Sequence, residues 1–247
     1  MDPDQPYLSF IIPAYNEASR IGKTLEAVFS YLREKPFRWE ILVVIDGAQD
    51  ATSEVVKRYQ ERIPYLKVID RKVNKGKGYT VREGMLRAQG QIRLFSDADN
   101  STSPDHFDKM KPFFDQGFDV VICSREPWDA PGAKQVVPQS FIKRQAGNLG
   151  NIFIQIMAVP GIWDTQCGFK AFSERSAKAI FSRSFIDRWG FDTEALALAR
   201  KLGFRVAMVP AFWVNDPNSH VKLSGYIKVL FETMQVRWNL LTGKYNR

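Results

Sequence analysis

Two aspartates one residue apart, Asp97 and Asp99, close an apolar run in the stretch RLFSDADNSTSP. Carboxylates so placed repel each other unless a cation shares the space. Their hard oxygens suit Mg²⁺ or Mn²⁺, and a diphosphate commonly completes the shell of such an ion. Ser101 can add a hydroxyl. The other reading is a turn built from Asp, Asn and Ser, and the triplet alone does not decide between the two. Asp46, in DGAQD at the end of another apolar run, can accept hydrogen bonds from a base N–H or a ribose hydroxyl, whereas Asp50 reads as a helix cap. In NKGKGYTVREG, Gly76 and Gly78 flank Lys77 at a predicted helix start. That is a backbone-plus-lysine anion site, although it does not match the full Walker pattern. PAYNEA, after the first strand, has no glycine, which disfavours a dinucleotide-dependent dehydrogenase. His106 and His220 have no second ligand at metal-site spacing, and neither is assigned to a metal.

Strands and helices must alternate to position these residues. YLSFIIP, EILVVID, LKVID, QIRLFSD and FDVVICS read as strands, and EILVVID is apolar enough for burial on both faces. SRIGKTLEAVFSYLRE, DATSEVVKRYQER, GYTVREGMLRAQG (ending at Gly90) and PDHFDKMKPFF read as the helices between them. The pattern predicts β-α-β units, a mostly parallel central sheet flanked by helices, and ligands beyond the carboxyl ends of the strands. PAYNE, DGAQD and DADNS each follow a strand, so all three should lie along one edge. After Ser124, REPWDAPGAKQVVPQS reads as loop and FIKRQAGNLGNIFIQIM as helix. WDTQCGFKAFS leads into a short strand, FDTEALALARKLG is helical, FRVAMVPAFWV is one strand, and GYIKVLFETMQVRWNLL is helical. No linker separates independent domains. Residues 1–247 are read as one large domain, with a nucleotide-sugar half at about 7–124, an acceptor half at about 125–223 and a C-terminal amphipathic helix at about 224–247.

Composition limits the classes. The 247 residues are 45 % hydrophobic, enough for a sizeable core. The opening MDPDQPYLSF lacks the layout of a signal peptide, and NIFIQIMAVPGIW is too short to span a bilayer. Two cysteines, Cys123 and Cys167, argue for a reducing compartment. The expectation is a cytoplasmic chain. Net charge is +8, and from Arg200 onward eight cations face only Asp216 and Glu232. That field suits an anionic partner: nucleic acid, an acidic membrane surface or a phosphorylated substrate.

In order and spacing, IIPAYNEASRIGKTL, VVIDGAQDAT, NKGKGYTVREGMLRAQG and LFSDADNSTSP resemble the nucleotide-sugar half of the inverting family-2 glycosyltransferases. WDTQCGFKAFS, RWGFDTEALALARKLGF and FWVNDPNSHVKLS resemble that family's dolichyl-phosphate β-glucosyltransferase branch, with polyprenyl-phosphate mannosyl- and glucosyltransferases close by. The resemblance runs from Leu8 to about Leu223. It implies a GT-A fold, Mg²⁺ or Mn²⁺, and transfer of glucose from UDP-glucose to a polyprenyl or dolichyl phosphate. Carried over by position, Pro13, Ala14, Tyr15 and Glu17 would cradle the nucleoside and Asp46 would meet the base. Lys77 would lie near the nucleotide, and Asp97 and Asp99 would flank metal and diphosphate. Asp164 falls where the family places a base or an acceptor-side carboxylate. Arg125 and Arg144 would contact an acceptor phosphate, since a guanidinium fork matches phosphate oxygens.

Some residues depart from that pattern. Ala48 stands where Ser is common, and Asn218 and His220 stand where relatives often carry Gly-Ser-Lys. The eukaryotic enzymes have an N-terminal membrane anchor that this chain does not show, so the expected acceptor is either a soluble compound or a lipid met at the membrane surface. Ile227, Leu230, Phe231, Met234, Trp238 and Leu241 form one helical stripe. The favoured expectation is that it docks on the core or on a second subunit; peripheral contact with an anionic membrane face is the other. Transfer to a soluble acceptor is the main rival function. A nucleotidyltransferase would need a glycine-rich loop after the first strand, and a nucleic-acid-binding module would leave the carboxylates at three strand ends unexplained.

Overall fold

The apolar runs of the first half become β1 (Leu8–Ala14), β2 (Trp39–Asp46), β3 (Leu66–Arg71), β4 (Ile92–Ser96) and β5 (Val120–Ser124). A short β6 (Lys134–Gln135), then β7 (Phe169–Ser173), β8 (Val206–Pro210) and β9 (Phe212–Trp213), follow in the second half. The computed structural model describes residues 4–135, 150–213 and 223–246. Seven of these strands form one sheet in the order β3-β2-β1-β4-β7-β5-β8, and β6 pairs with β9. Because β1, β2 and β4 are neighbours in parallel, the turns after them share one edge, as the sequence predicts. β7 alone runs antiparallel, between β4 and β5.

Burial on both faces explains the continuous apolar runs. From β1, Phe10 and Ile12 point into a core shared with α1 (Ile21–Leu32), α2 (Thr52–Gln60) and α4 (His106–Asp115). Ile11 of β1 and Val44 of β2 point the other way, against α3 (Lys77–Arg87), where Val81 and Met85 receive them. The same second core takes Ile154 from α5 (150–157), Ile180 from α6 (Glu174–Phe181), Leu196 and Leu198 from α7 (Phe191–Lys201), and Val236 from α8 (Leu223–Leu241).

Several elements differ from the sequence reading. FRVAMVPAFWV is two strands, because β8 ends at Pro210 and Phe212–Trp213 leaves the sheet to pair with Lys134–Gln135. α3 stops at Arg87 and Ala88 is extended, since Gly90 is drawn to β1, its N–H donating to Ser9 Oγ at 2.7 Å. α6 is unanticipated; Ser173 caps it, accepting from Ser176 N–H at 3.2 Å. The first part of the helix expected over FIKRQAGNLGNIFIQIM lies outside the described residues. Five of the six residues of the C-terminal stripe do not dock on the core, and the sixth, Leu230, is half-buried. Ile227, Phe231, Met234, Trp238 and Leu241 are exposed, while Thr233, Val236 and Asn239 on the opposite side of α8 are buried. The core takes one face of α8, anchored where Tyr245 returns to donate to Glu194 Oε1 at 2.7 Å. No described helix is long and apolar enough to cross a membrane.

Candidate active site

The Asp97–Asp99 turn is held from two sides. Asp97 N–H donates to Gly168 O at 3.0 Å, and the buried Thr24 hydroxyl of α1 donates to Ala98 O at 2.6 Å. Asn100 takes a left-handed φ of 54°, and Asp99 Oδ1 accepts from Ser101 N–H at 2.9 Å. Gly168 packs so tightly below that a Cβ there would overlap the Asp97 carboxylate. Hydrogen bonds to the main chain of the turn therefore fix where these carboxylates stand.

Lys77, the first residue of α3, brings its ammonium to 2.6 Å from Asp97 Oδ1 and lies 5.6 Å from the Trp189 ring centre. Burial works against its charge, but Asp97 and Asp192 outweigh it and hold the Lys77 pKa above the usual lysine value. Ahead of Lys77, Gly76 adopts φ 105°, and a Cβ there would collide with Asp187 O, so no other residue fits this approach. Asp46 holds the loop that carries Gly76. Its Oδ1 accepts from Lys75 N–H at 2.8 Å and from Arg71 Nη2 at 2.6 Å, and its Oδ2 accepts from Gly76 N–H at 2.8 Å. The structure thus commits the buried Asp46 carboxylate to the loop rather than leaving it open toward a base.

The segment after β1 is laced to the start of α2. Asn16 Oδ1 accepts from Gln49 N–H at 2.8 Å, and Glu17 N–H donates to Thr52 Oγ1 at 2.8 Å. Pro13 and Ala14 are buried in β1, Glu17 pairs with Arg20, and Tyr15 is 42 % exposed.

On the far side of β7 Arg125 and Asp164 form a two-pronged ion pair. Nε donates to Oδ2 and Nη2 to Oδ1, both at 2.8 Å, and Arg125 N–H adds a third bond to Oδ2 at 2.8 Å. Burial alone would raise the Asp164 carboxyl, but the Arg125 charge and these bonds prevail and hold it below the usual carboxylate range. The guanidinium is likewise pushed above its ordinary value, burial being outweighed by Asp164, with Asp97 adding to the effect. The Trp213 ring centre lies 5.3 Å from Arg125 Cζ. Asp129 fixes the loop beneath, accepting from Trp163 N–H at 2.8 Å and Asp164 N–H at 2.7 Å.

Asp192 and Lys170 are site residues the sequence reading missed. Their buried ion pair, 2.5 Å long, ties the start of α7 to β7. Burial pushes the Asp192 carboxyl up despite the charges of Lys170 and Lys77. A lysine inside the apolar run CGFKAF is the signal the sequence offers, since a strand buried on both faces accepts an ammonium only with a partner. The fold thus brings Lys77 against Asp97, with Asp99 close by, and sets the Arg125–Asp164 pair within electrostatic reach of Asp97; Arg144 lies outside the described residues.

A divalent cation fits the donor set. Asp97 and Asp99 offer hard oxygens, and the buried Ser101 Oγ has no hydrogen-bond partner among the described residues. Among those residues no three His, Cys, Asp or Glu side chains converge. The protein would therefore supply part of the shell and leave the rest to phosphate oxygens and water.

Comparison with known proteins gives the family and the fold. The family described as Glycosyl transferase family 2 matches residues 9–181. A dolichyl-phosphate beta-glucosyltransferase of Trichomonas vaginalis is 34 % identical over 95 % of this chain and 74 % of its own length. The protein of that name from Dictyostelium discoideum is 33 % identical over 97 % and 76 %, and the one from Homo sapiens 28 % over 99 % and 79 %. Among solved structures, mannosyl-3-phosphoglycerate synthase from Rubrobacter xylanophilus superposes with a TM-score of 0.71 at 17 % identity, covering 98 % of this chain and 76 % of that one. Glucosyl-3-phosphoglycerate synthase from Mycobacterium tuberculosis, in complex with Mn²⁺ and UDP, gives 0.64 at 18 % identity, covering 94 % and 80 %. These two likenesses show the fold.

Proposed function

The chain belongs to glycosyl transferase family 2 and has the GT-A fold, and from that premise we propose that it transfers glucose from UDP-glucose to a polyprenyl phosphate with inversion. One observation carries the reading: the Lys77 ammonium stands at the Asp97–Asp99 turn, and an oriented guanidinium, Arg125, lies within electrostatic reach of Asp97 across β7. The first suits a nucleoside diphosphate that gains charge as it leaves. The second suits an acceptor that arrives already anionic. The relatives named dolichyl-phosphate beta-glucosyltransferase support the same acceptor class and sugar.

In this mechanism Pro13 to Glu17 and the loop held by Asp46 line the nucleoside side. Lys77 leaves Asp97 for the diphosphate or stays between the two, and in either place offsets the charge that develops. A divalent cation, when bound at Asp97 and Asp99, neutralises the leaving diphosphate without proton transfer. Arg125 turns the acceptor phosphate so that its oxygen meets the anomeric carbon opposite the leaving group. Asp164 positions Arg125 and takes no proton, because its carboxyl is held ionised and both its oxygens are occupied. A phosphate acceptor needs no general base near neutrality, so the reading requires none.

The test is transfer from UDP-glucose to a detergent-dispersed polyprenyl phosphate with Mg²⁺ or Mn²⁺, with product detected by mass spectrometry. Calorimetry of UDP binding should show tighter binding with metal present, and Asp99→Ala should abolish that gain. Equal binding in excess chelator, with no loss in Asp99→Ala, removes the metal from the scheme. Transfer to a soluble alcohol but not to a polyprenyl phosphate replaces the acceptor.

A further inference from the structure

α8 has a buried face and, opposite it, an exposed apolar one. Thr233, Val236 and Asn239 face the core. On the other side Ile227, Phe231, Met234, Trp238 and Leu241 follow one another at steps of four and three residues, which sets them along one line of the helix. Phe231 is 63 % exposed, and Trp238 and Leu241 are each 67 % exposed. A helix that buries one face ordinarily turns polar side chains to water on the other. A continuous exposed apolar row marks an interaction surface instead.

The charges beside the row identify what it meets. At about 100° per residue, Lys228 and Arg237 fall on opposite flanks of the row, and both are exposed. Lys244, in the turn after the helix, is exposed as well. Glu232, the only acid from Ile227 to Asn246, turns inward and accepts from Gly190 N–H at 2.5 Å. Pairing with α8 of a second copy in a two-fold dimer would set these cations against one another with no acid between them. An anionic lipid surface satisfies both the row and its flanks.

We propose that this face of α8 docks on an anionic membrane, with Phe231 and Trp238 entering the headgroup layer and Lys228 and Arg237 meeting lipid phosphates. The surface is argued from α8 itself; its purpose rests on the lipid-acceptor reading. The helix is also wired to the cleft. Glu232 holds the turn at Trp189–Gly190, and Trp189 lies beside Lys77, so docking α8 sets the rim of the site at the bilayer.

Cosedimentation with vesicles of phosphatidylcholine, alone or with about one third phosphatidylglycerol, tests this. The full chain should pellet with the anionic vesicles at low salt about tenfold more than with the neutral ones, and high salt should reverse it. Phe231→Ser with Trp238→Ser should lose pelleting while keeping thermal stability and UDP binding. Lys228→Glu with Arg237→Glu, which leaves the apolar row intact, should lose the preference for anionic vesicles. The proposal is overturned if the wild type pellets with neither vesicle, or if the Ser pair pellets as the wild type does. It is also overturned if light scattering finds a dimer that the Ser pair converts to monomer. Transfer to a short, water-soluble prenyl phosphate separates the two readings. Transfer without vesicle binding overturns the docking face alone, and vesicle binding without transfer to any prenyl phosphate overturns the acceptor assignment alone.

Discussion

Asp164 is buried and the Arg125 side chain mostly so, and the carboxylate depends on the guanidinium for its charge. Removing the carboxylate in Asp164→Asn leaves a mostly buried guanidinium without its counter-charge, which should cost about 3 kcal/mol of stability at pH 7. The pH dependence follows from the sign of the shift. The folded Asp164 carboxyl sits below its unfolded value of about 3.9. Its contribution is therefore present above that pH and is lost as pH falls through the lower folded value. Urea unfolding of wild type and variant should differ fully near neutrality, and the gap should narrow only below about pH 4. Glucosyl transfer should collapse in the variant while UDP affinity holds. Equal loss of both would move Asp164 to the donor side. This pairing was only half legible in the sequence. Asp97 and Asp99 stand out because one residue separates them at a strand end, and Lys77 because glycines flank it. Asp164 and Arg125 are 39 residues apart, and nothing local says that they touch. Asp46 was legible as a carboxylate at a strand end, but its partners, Lys75, Gly76 and Arg71, come from a loop that only the fold brings near.

β7 turns two sets of residues into one site. It runs antiparallel between β4 and β5, so the residues just before it meet the turn just after β4, and Gly168 reaches Asp97. The expected effect of Gly168→Ala follows from that contact. Its added methyl overlaps the Asp97 carboxylate, which must swing away from Lys77. UDP binding should weaken about tenfold by calorimetry, with little change in thermal stability, because the Asp97 N–H to Gly168 O bond involves main chain alone. A large drop in melting temperature with UDP binding intact would make Gly168 a packing residue only. The alternating strands and helices before Ser124 were readable because β1, β2, β4 and β5 are buried on both faces, with only β3 at the sheet edge partly exposed, and each helix buries one face. Strand direction is not written in such a run, which is why β7 was seen as a strand and not as the antiparallel one. The break at Pro210 was readable in principle, since proline cannot donate to a ladder, but Ala211, Phe212 and Trp213 continue the apolar run and hide it.

Taken whole, the chain gives its two halves no seam. β7 and β8, from the acceptor half, lie in the same sheet as β1 to β5, with β7 inside it rather than at an edge. Both cores draw on strands from each half, Phe10 with Phe169 on one side and Phe95 with Phe172 on the other. α8 adds Val236 to the second core and, through Glu232, braces the turn that meets the Gly76 loop. A sheet shared in this way should unfold as one cooperative unit, and calorimetry should give one transition with equal calorimetric and van't Hoff enthalpies. Ligand linkage sharpens the expectation. UDP with metal, at about a hundred times its dissociation constant, should add about 2.7 kcal/mol to the folded state. For a chain of this length that corresponds to a rise of about 5–11 °C in the single transition. If the halves were independent, UDP would raise one transition and leave another in place, because β7 would then belong to a unit that does not bind it. The tie runs through Asp97, which touches the donor side at Lys77 and the acceptor side at Gly168. A separate, ligand-insensitive transition in the wild type would therefore rule out both the single unit and a site shared by the two halves.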